Sequence, residues 1–279
     1  MFEKHFGLRT APFQLSPDPD FYFESRGHRQ ALAYLQYGVQ QREGFIVVTG
    51  EIGAGKTTVV RTLLESLDVD QVVAAQIVNT QLDEDQLLAS ICHAFGIPSP
   101  GNAKAQVLAS LEAFFTVVAA GGRRALLVVD EAQNLGHREI EELRMLSNFQ
   151  LKNRALLQSF LVGQPELRVM LRSPSMEQLR QRVIAACHLG PLSAEETRAY
   201  IDHRMRFAGW NGAPIFDDAA VEQIFASTGG VPRRVNLLCT RLLLAAFLAG
   251  THTVDAPTVQ STVNELDGES GRLSLGATG

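Results

Sequence analysis

Phe45-Ile46-Val47-Val48-Thr49-Gly50-Glu51-Ile52-Gly53-Ala54-Gly55-Lys56-Thr57-Thr58 is the stretch on which the fold turns. Gly50, Gly55, Lys56 and Thr57 meet the pattern G-x-x-x-x-G-K-[ST] in full, after an apolar run and before a helical pattern. That is the context a phosphate-binding loop requires. Phe45 to Val48 reads as a buried strand, and Val59 to Leu67 as the helix that follows. Glycines at 50, 53 and 55 let the backbone from Gly50 to Thr58 turn its N–H groups inward around β- and γ-phosphates. The helix N-terminus adds partial positive charge behind them. Lys56 then meets the phosphates as a point charge, and the Thr57 hydroxyl can ligate Mg²⁺.

The chain has 279 residues, 46% hydrophobic and 20% charged, the composition of a soluble globular protein with one large domain and a smaller one. A net charge of −5 supplies no overall positive field to hold nucleic acid or an anionic membrane. Cys92, Cys187 and Cys239 lie far apart without C-x-x-C spacing, so neither a disulfide framework nor a zinc site is expected, and the thiols read as buried in a reducing compartment. Met1 to Phe6 lacks an apolar run after a basic stretch, so no secretory signal is expected. Leu237 to Ala249 contains Arg241 and is too short to span a bilayer. A cytoplasmic location, at most peripheral to the inner membrane, is the expectation.

Working outward from the loop, residues 1–27 are loop-like, with Phe2, Phe6, Phe13, Phe21, Tyr22 and Phe23 set among Pro12, Pro17 and Pro19. Rings at that density predict an arm packed on the core of the domain. A helix is expected from His28 to Gln41, a strand from Val72 to Val78, and helices over Asp83 to Phe95 and Ala103 to Ala119. The run Ala125-Leu126-Leu127-Val128-Val129 closes on Asp130-Glu131. Acids at the carboxyl end of a wholly apolar strand place one carboxylate near Mg²⁺ and the next where it can orient a water towards the γ-phosphate. A helix carrying Ile140, Leu143 and Leu146 follows, then a strand from Ala155 to Val162 ending at Gly163-Gln164-Pro165. Gln164 can reach the γ-phosphate or its water; turn chemistry alone also accounts for a glutamine between glycine and proline.

Strands alternating with helices in this order predict an α/β fold, a parallel sheet sandwiched by helices with ligand at the strands' carboxyl ends. Past residue 190 only helices are expected. Ser193 to Glu196 is a capping box, Asp217 opens a second helix, Pro232 to Ala249 forms a third with Gly250 as its stop, and a fourth runs from Asp255 to Leu266. The predicted organisation is an arm at 1–27, a nucleotide-binding domain at 28–190, a small all-α lid at 191–267 and a flexible tail at 268–279.

The phosphate loop, Asp130-Glu131, Gly163-Gln164, the pair Arg180/Arg182 and Gly229-Gly230-Val231-Pro232-Arg233 together resemble a P-loop NTPase of the AAA+ class. More narrowly, the chain resembles the ATPases related to general secretion pathway protein A, and within them those accompanying exosortase/PEP-CTERM systems and their exopolysaccharide loci. The phrases carrying that likeness are Phe6-Gly7-Leu8, Pro12-Phe13, Ser16-Pro17-Asp18-Pro19, Asp130 to Leu135, Gly163 to Leu167, and Gly230 to Asn236. The resemblance implies that Lys56 and Thr57 form the first Walker motif and Asp130 and Glu131 the second, with Thr57 and Asp130 on the metal. It implies Gln164 as first sensor, Arg182 as a finger reaching a neighbouring subunit's nucleotide with Arg180 as its rival, and Arg233 as second sensor on the γ-phosphate. His28, ahead of the first strand, reads as an adenine-side contact. The group's membrane span and peptidoglycan-binding domain have no counterpart in these residues, so wall binding is not inherited.

These readings predict Mg²⁺-dependent ATP hydrolysis by a protein that forms a ring or an ATP-dependent oligomer and serves an envelope secretion or polysaccharide export assembly. Two other classes share much of the pattern. A DNA-associated AAA+ ATPase of the transposition-helper or loader type would need nucleic-acid contacts that the acidic balance disfavours. A nucleotide-dependent switch with negligible turnover would use the same sensors without hydrolysis.

Overall fold

The computed structural model describes residues 1–15, 21–78, 81–98 and 103–275. Ser16-Pro17-Asp18-Pro19 lies outside them. A short helix, α1 (Phe2–His5), opens the chain, and α2 (Arg26–Gln41) leads into β1 (Phe45–Gly50). Every residue of β1 is buried, because a strand inside a parallel sheet has helices on both faces and no side to give to water. Helix α3 (Lys56–Ser66) starts at the lysine itself, three residues ahead of the expected Val59. The chain continues through β2 (Val72–Ile77), α4 (Glu84–Ala94), α5 (Lys104–Ala120), β3 (Arg124–Val129) and α6 (His137–Leu146). Next come a small hairpin of β4 (Gln150–Leu151) and β5 (Arg154–Ala155), then β6 (Leu157–Gly163), α7 (Pro165–Leu171), α8 (Glu177–Arg180) and β7 (Val183–Leu189).

Five strands form one parallel sheet in the order β2-β3-β6-β1-β7. Thr49 pairs with Gly163, and Val129 with both Leu161 and Ile77, so the carboxyl ends of β1, β3 and β6 arrive at one edge. The loops that follow those strands are thereby gathered in one place, the usual ligand position of such sheets. Phe45 and Val47 share a core with Leu88, Ile91, Phe115 and Leu143 on one face. The buried Gln158 on β6 is satisfied by donating to the carbonyls of Gly38 (2.7 Å) and Glu43 (2.9 Å).

Strand β7 is absent from the sequence expectations. It sits at the sheet's edge with exposed Ala186 and His188, so its polarity does not read as a buried run.

Contacts divide the chain into two units: Arg26–Ile52 with Lys56–Leu189, and Met1–Ser25 with Gly53–Gly55 and Gly190–Gly279. In the second unit α9 (Ala194–Phe207) is opened by a true capping box, Ser193 Oγ accepting from the Glu196 N–H (3.1 Å) and the Glu196 carboxylate from the Ser193 N–H (3.0 Å). Helices α10 (Asp218–Thr228), α11 (Pro232–Ala249) and α12 (Ala256–Leu275) follow. The expectation of helices alone is corrected by a two-residue parallel pair, β8 (Ile215–Phe216) with β9 (Thr253–Val254), too short to show in any periodicity. Helix α12 also runs on into the stretch expected as a tail, as far as Leu275, with Glu269 paired to Arg241 at 3.0 Å.

The arm packs within the helical unit. Phe6, Leu8 and Phe13 belong to the core of the helical unit, among Ile201, Leu242 and Leu243. Arg204 holds the arm by donating to the Pro12 carbonyl (2.6 Å) and the Gln14 carbonyl (3.0 Å), and Thr240 donates to the Phe13 carbonyl (3.3 Å). Ring density said that the arm would be buried but not against which partner. Cys92 and Cys239 are buried and Cys187 is half-buried. No helix among the described residues is long and apolar enough to cross a membrane.

Candidate functional site

At the end of β1 the chain enters the loop with Gly53 at φ 81° and Gly55 at φ 97°, left-handed conformations that only glycine adopts without strain. Ala54 is buried between them, whereas Glu51 and Ile52 face solvent. Lys56 begins α3 and is only 7% exposed. Its Nζ donates to the carbonyls of Gly50 (2.8 Å) and Glu51 (3.0 Å), curling back over its own loop. Burial pushes its pKa down, against the opposing field of Glu131 and Asp130. Thr57 and Thr58 occupy the same first turn.

Across the sheet, Asp130 extends β3 by one ladder bond, its N–H donating to the Ile77 carbonyl at 2.8 Å. The Thr57 hydroxyl donates to Asp130 Oδ2 at 3.2 Å, although 73 residues separate them in the chain. Asp130 is buried, and that burial raises its pKa above the usual carboxylate value despite the hydrogen bond from the Glu131 N–H. A buried carboxylate set against a hydroxyl is a hard oxygen pair, a donor set that suits Mg²⁺. Glu131 has φ 51°, a left-handed conformation costly for any residue but glycine and characteristic of functional turns.

Gln164 joins the acidic turn: its Nε2 donates to Glu131 Oε2 at 3.2 Å. Beside it stands Gln133, to which the sequence reading gave no role. Gln133 Nε2 donates to the same Glu131 oxygen at 2.6 Å, while its Oε1 accepts the Gln164 N–H at 2.9 Å. No spacing rule marks this residue, because it enters the cluster through a short 3₁₀ turn, Ala132–Asn134, and not through a strand end.

Arg180 and Arg182 lie elsewhere, whereas Arg233 meets the loop through its backbone. His28 is buried in the first turn of α2. Arg182 is at the opposite, amino end of the sheet, where its carbonyl accepts the Phe45 N–H at 2.9 Å. Six residues of paired strand, from Phe45↔Val183 to Gly50↔Leu189, separate it from the loop, about 20 Å at ~3.3 Å per residue. Its guanidinium donates to Ser147 Oγ (2.8 Å) and to Asn148 Oδ1. Arg180 donates to the Leu171 carbonyl at 2.8 Å, closing the end of α7. In the helical unit, which includes Gly53–Gly55, the Arg233 N–H donates to the Gly53 carbonyl at 3.2 Å. A Cβ on Gly53 would lie 2.3 Å from Arg233 Cβ, a second reason for glycine there.

Residues 39–171 match the family described as an AAA domain. Over 269 residues the chain is 41% identical to General secretion pathway protein A of Aeromonas hydrophila, which covers 96% of this chain and 49% of that protein. The chain thus spans about half the length of that relative. An uncharacterized HTH-type transcriptional regulator of Methanocaldococcus jannaschii is 23% identical over 159 residues, 56% of this chain and 38% of that one. Among solved structures, ORC2 of Aeropyrum pernix aligns with a TM-score of 0.67 at 17% identity, covering 91% of this chain and 71% of that one. Drosophila ORC bound to DNA gives 0.65 at 21%, over 91% and 64%. The RuvB Holliday junction branch migration motor of Thermotoga maritima gives 0.57 at 16%, over 91% and 73%. At these identities the likeness is one of fold, and the fold is the P-loop AAA+ fold with a helical C-terminal part.

Proposed function

We propose, on the premise of an AAA domain set in a P-loop AAA+ fold, that this chain binds and hydrolyses ATP with Mg²⁺. The observation that carries the reading is the contact of Thr57 with Asp130, which joins two motifs from separate strands into one cluster. Main-chain N–H groups from Gly50 to Thr58 bind the triphosphate, and Lys56 leaves its loop carbonyls to meet it. Thr57 and Asp130 would hold Mg²⁺, which when bound offsets charge on the transferring phosphoryl group. Glu131 aligns the attacking water, Gln164 reaches the γ-phosphate or its water as first sensor, and Arg233 contacts the γ-phosphate as second sensor. Arg182, about 20 Å along the sheet from its own loop, acts on the nucleotide of a neighbouring copy, so the active form is a ring or an ATP-dependent oligomer.

Identity of 41% to General secretion pathway protein A supports a role in an envelope secretion assembly. The phrases from Phe6-Gly7-Leu8 to Val235-Asn236 favour, within that role, an exopolysaccharide or exosortase-linked system. The test is calorimetry with ATP and Mg²⁺ beside a hydrolysis assay. Lys56→Ala loses the heat of binding; Glu131→Gln binds ATP and turns over roughly 10²–10⁴-fold more slowly. Turnover by Glu131→Gln at the wild-type rate, or no heat with the unaltered chain, refutes the reading. Binding without turnover in the unaltered oligomer would make the chain a nucleotide-dependent switch instead.

A further inference from the structure

We infer that Gln133 is the positioning residue for Glu131, an inference that rests on the reading of Glu131 as the carboxylate that aligns water. Its carboxamide is keyed at both ends. Oε1 accepts the Gln164 N–H at 2.9 Å, and a main-chain donor in that place fixes which end of the amide is the oxygen. Nε2 is thereby aimed at Glu131 Oε2, 2.6 Å away, in a charge-assisted hydrogen bond shorter than the 3.2 Å bond from Gln164.

Two further features of the chain are spent on this arrangement. Glu131 holds φ 51°, which turns its carboxylate back towards the 3₁₀ turn that carries Gln133. Gly163 has no positive φ, so backbone conformation does not explain it. Space does: a Cβ there would lie 2.7 Å from Gln133 Oε1 and 2.9 Å from Leu167 Cδ2. The glycine that closes β6 leaves room for the carboxamide. Gln133 forms no bond to substrate and transfers no proton; it holds one carboxylate oxygen still, so that the group meets water in one orientation.

The experiment measures ATP turnover and ATP affinity of the full chain with Mg²⁺ for Gln133→Leu, Gln133→Glu and Gly163→Ala. Gln133→Leu lowers kcat by roughly 10–100-fold while ATP affinity stays within about twofold, since the phosphate loop is untouched. Gln133→Glu is as slow at pH 8, because a carboxylate cannot donate to Glu131 and repels it. A merely structural role would lower ATP affinity along with kcat, and a parallel loss of the two overturns the inference. Gly163→Ala slows turnover to the same degree, and combining it with Gln133→Leu adds nothing; multiplied effects would place the glycine's role elsewhere and overturn it. Should Gln133→Leu fail to fold, the split between kcat and ATP affinity in Gln133→Glu still decides. An inert Glu131→Gln with a fully active Gln133→Leu refutes only this inference, whereas an active Glu131→Gln refutes the reading beneath it.

Discussion

Replacing Phe13 by alanine removes a ring that is 2% exposed from the core of the helical unit. Deleting a buried phenylalanine to alanine costs about 3–5 kcal/mol, the sum of lost transfer free energy and the cavity left behind. Domains have about 5–15 kcal/mol in total, so the change takes a large share. For a chain of this size 1 kcal/mol corresponds to about 2–4 °C, so the transition of the helical unit should fall by roughly 6–20 °C. Main-chain contacts of the arm survive the substitution, because Arg204 and Thr240 donate to the carbonyls of Pro12 and Phe13, not to the ring. Leu15, two residues on and 53% exposed, supplies the control. Leu15→Ala should stay within about 0.5 kcal/mol of the unaltered chain. The assay is thermal unfolding followed by circular dichroism of the helices, without nucleotide and at fixed protein concentration. A Phe13→Ala protein that melts within about 2 °C of Leu15→Ala would refute the reasoning, since the arm would then be a surface appendage.

Asp130→Asn should raise the melting temperature of the nucleotide-free protein while abolishing turnover. Burial raises the Asp130 pKa, so the folded state binds its proton more tightly than the unfolded one, and stability falls as pH rises from the ordinary aspartate range through that raised value. Above it the full cost of the buried charge is present, which the amide removes; the gain in melting temperature should be larger at pH 7.5 than at pH 4, and an equal gain at both would contradict the cause assigned. Mixing Lys56→Ala with Arg182→Ala, each inert alone, should restore part of the turnover, because half of the sites have an intact loop and half of those a neighbour with Arg182, about a quarter in all. No recovery in a mixture shown to co-assemble would rule out action in trans.

How far the residues reveal the molecule depends on how local each determinant is. The phosphate loop is legible because its glycines, lysine and threonine act within one turn of chain, and the structure brings Thr57, in the first turn of α3, to Asp130 at the end of β3. Strands β1 and β3 read as apolar runs because water touches almost none of their side chains, whereas β6 carries the buried Gln158 and Ser159 within an otherwise apolar strand. Strand β7 escaped for the converse reason: an edge strand carrying His188 follows neither an alternating nor a continuous apolar pattern. Phe6 and Phe13 advertise burial, but a partner some two hundred residues away cannot be read from a local pattern. Gln133 was hidden because its role depends on a side-chain amide meeting the backbone of Gln164, a match between two loops that no periodicity encodes.

The placement of the arm has a bearing on synthesis. Phe13 packs in a core that includes Leu242, and ribosomes add about 5–20 residues per second, so the first of these waits roughly 10–50 s for the second to be made. The strands of the parallel sheet are all translated by Leu189, before Leu242 and the other α11 partners of the arm exist. Throughout that interval Phe6, Leu8 and Phe13 are greasy residues without a home, the kind of segment that holdase chaperones bind. A nascent chain stalled near residue 190 should therefore expose its first residues to protease, and become resistant there only once α11 has left the ribosome.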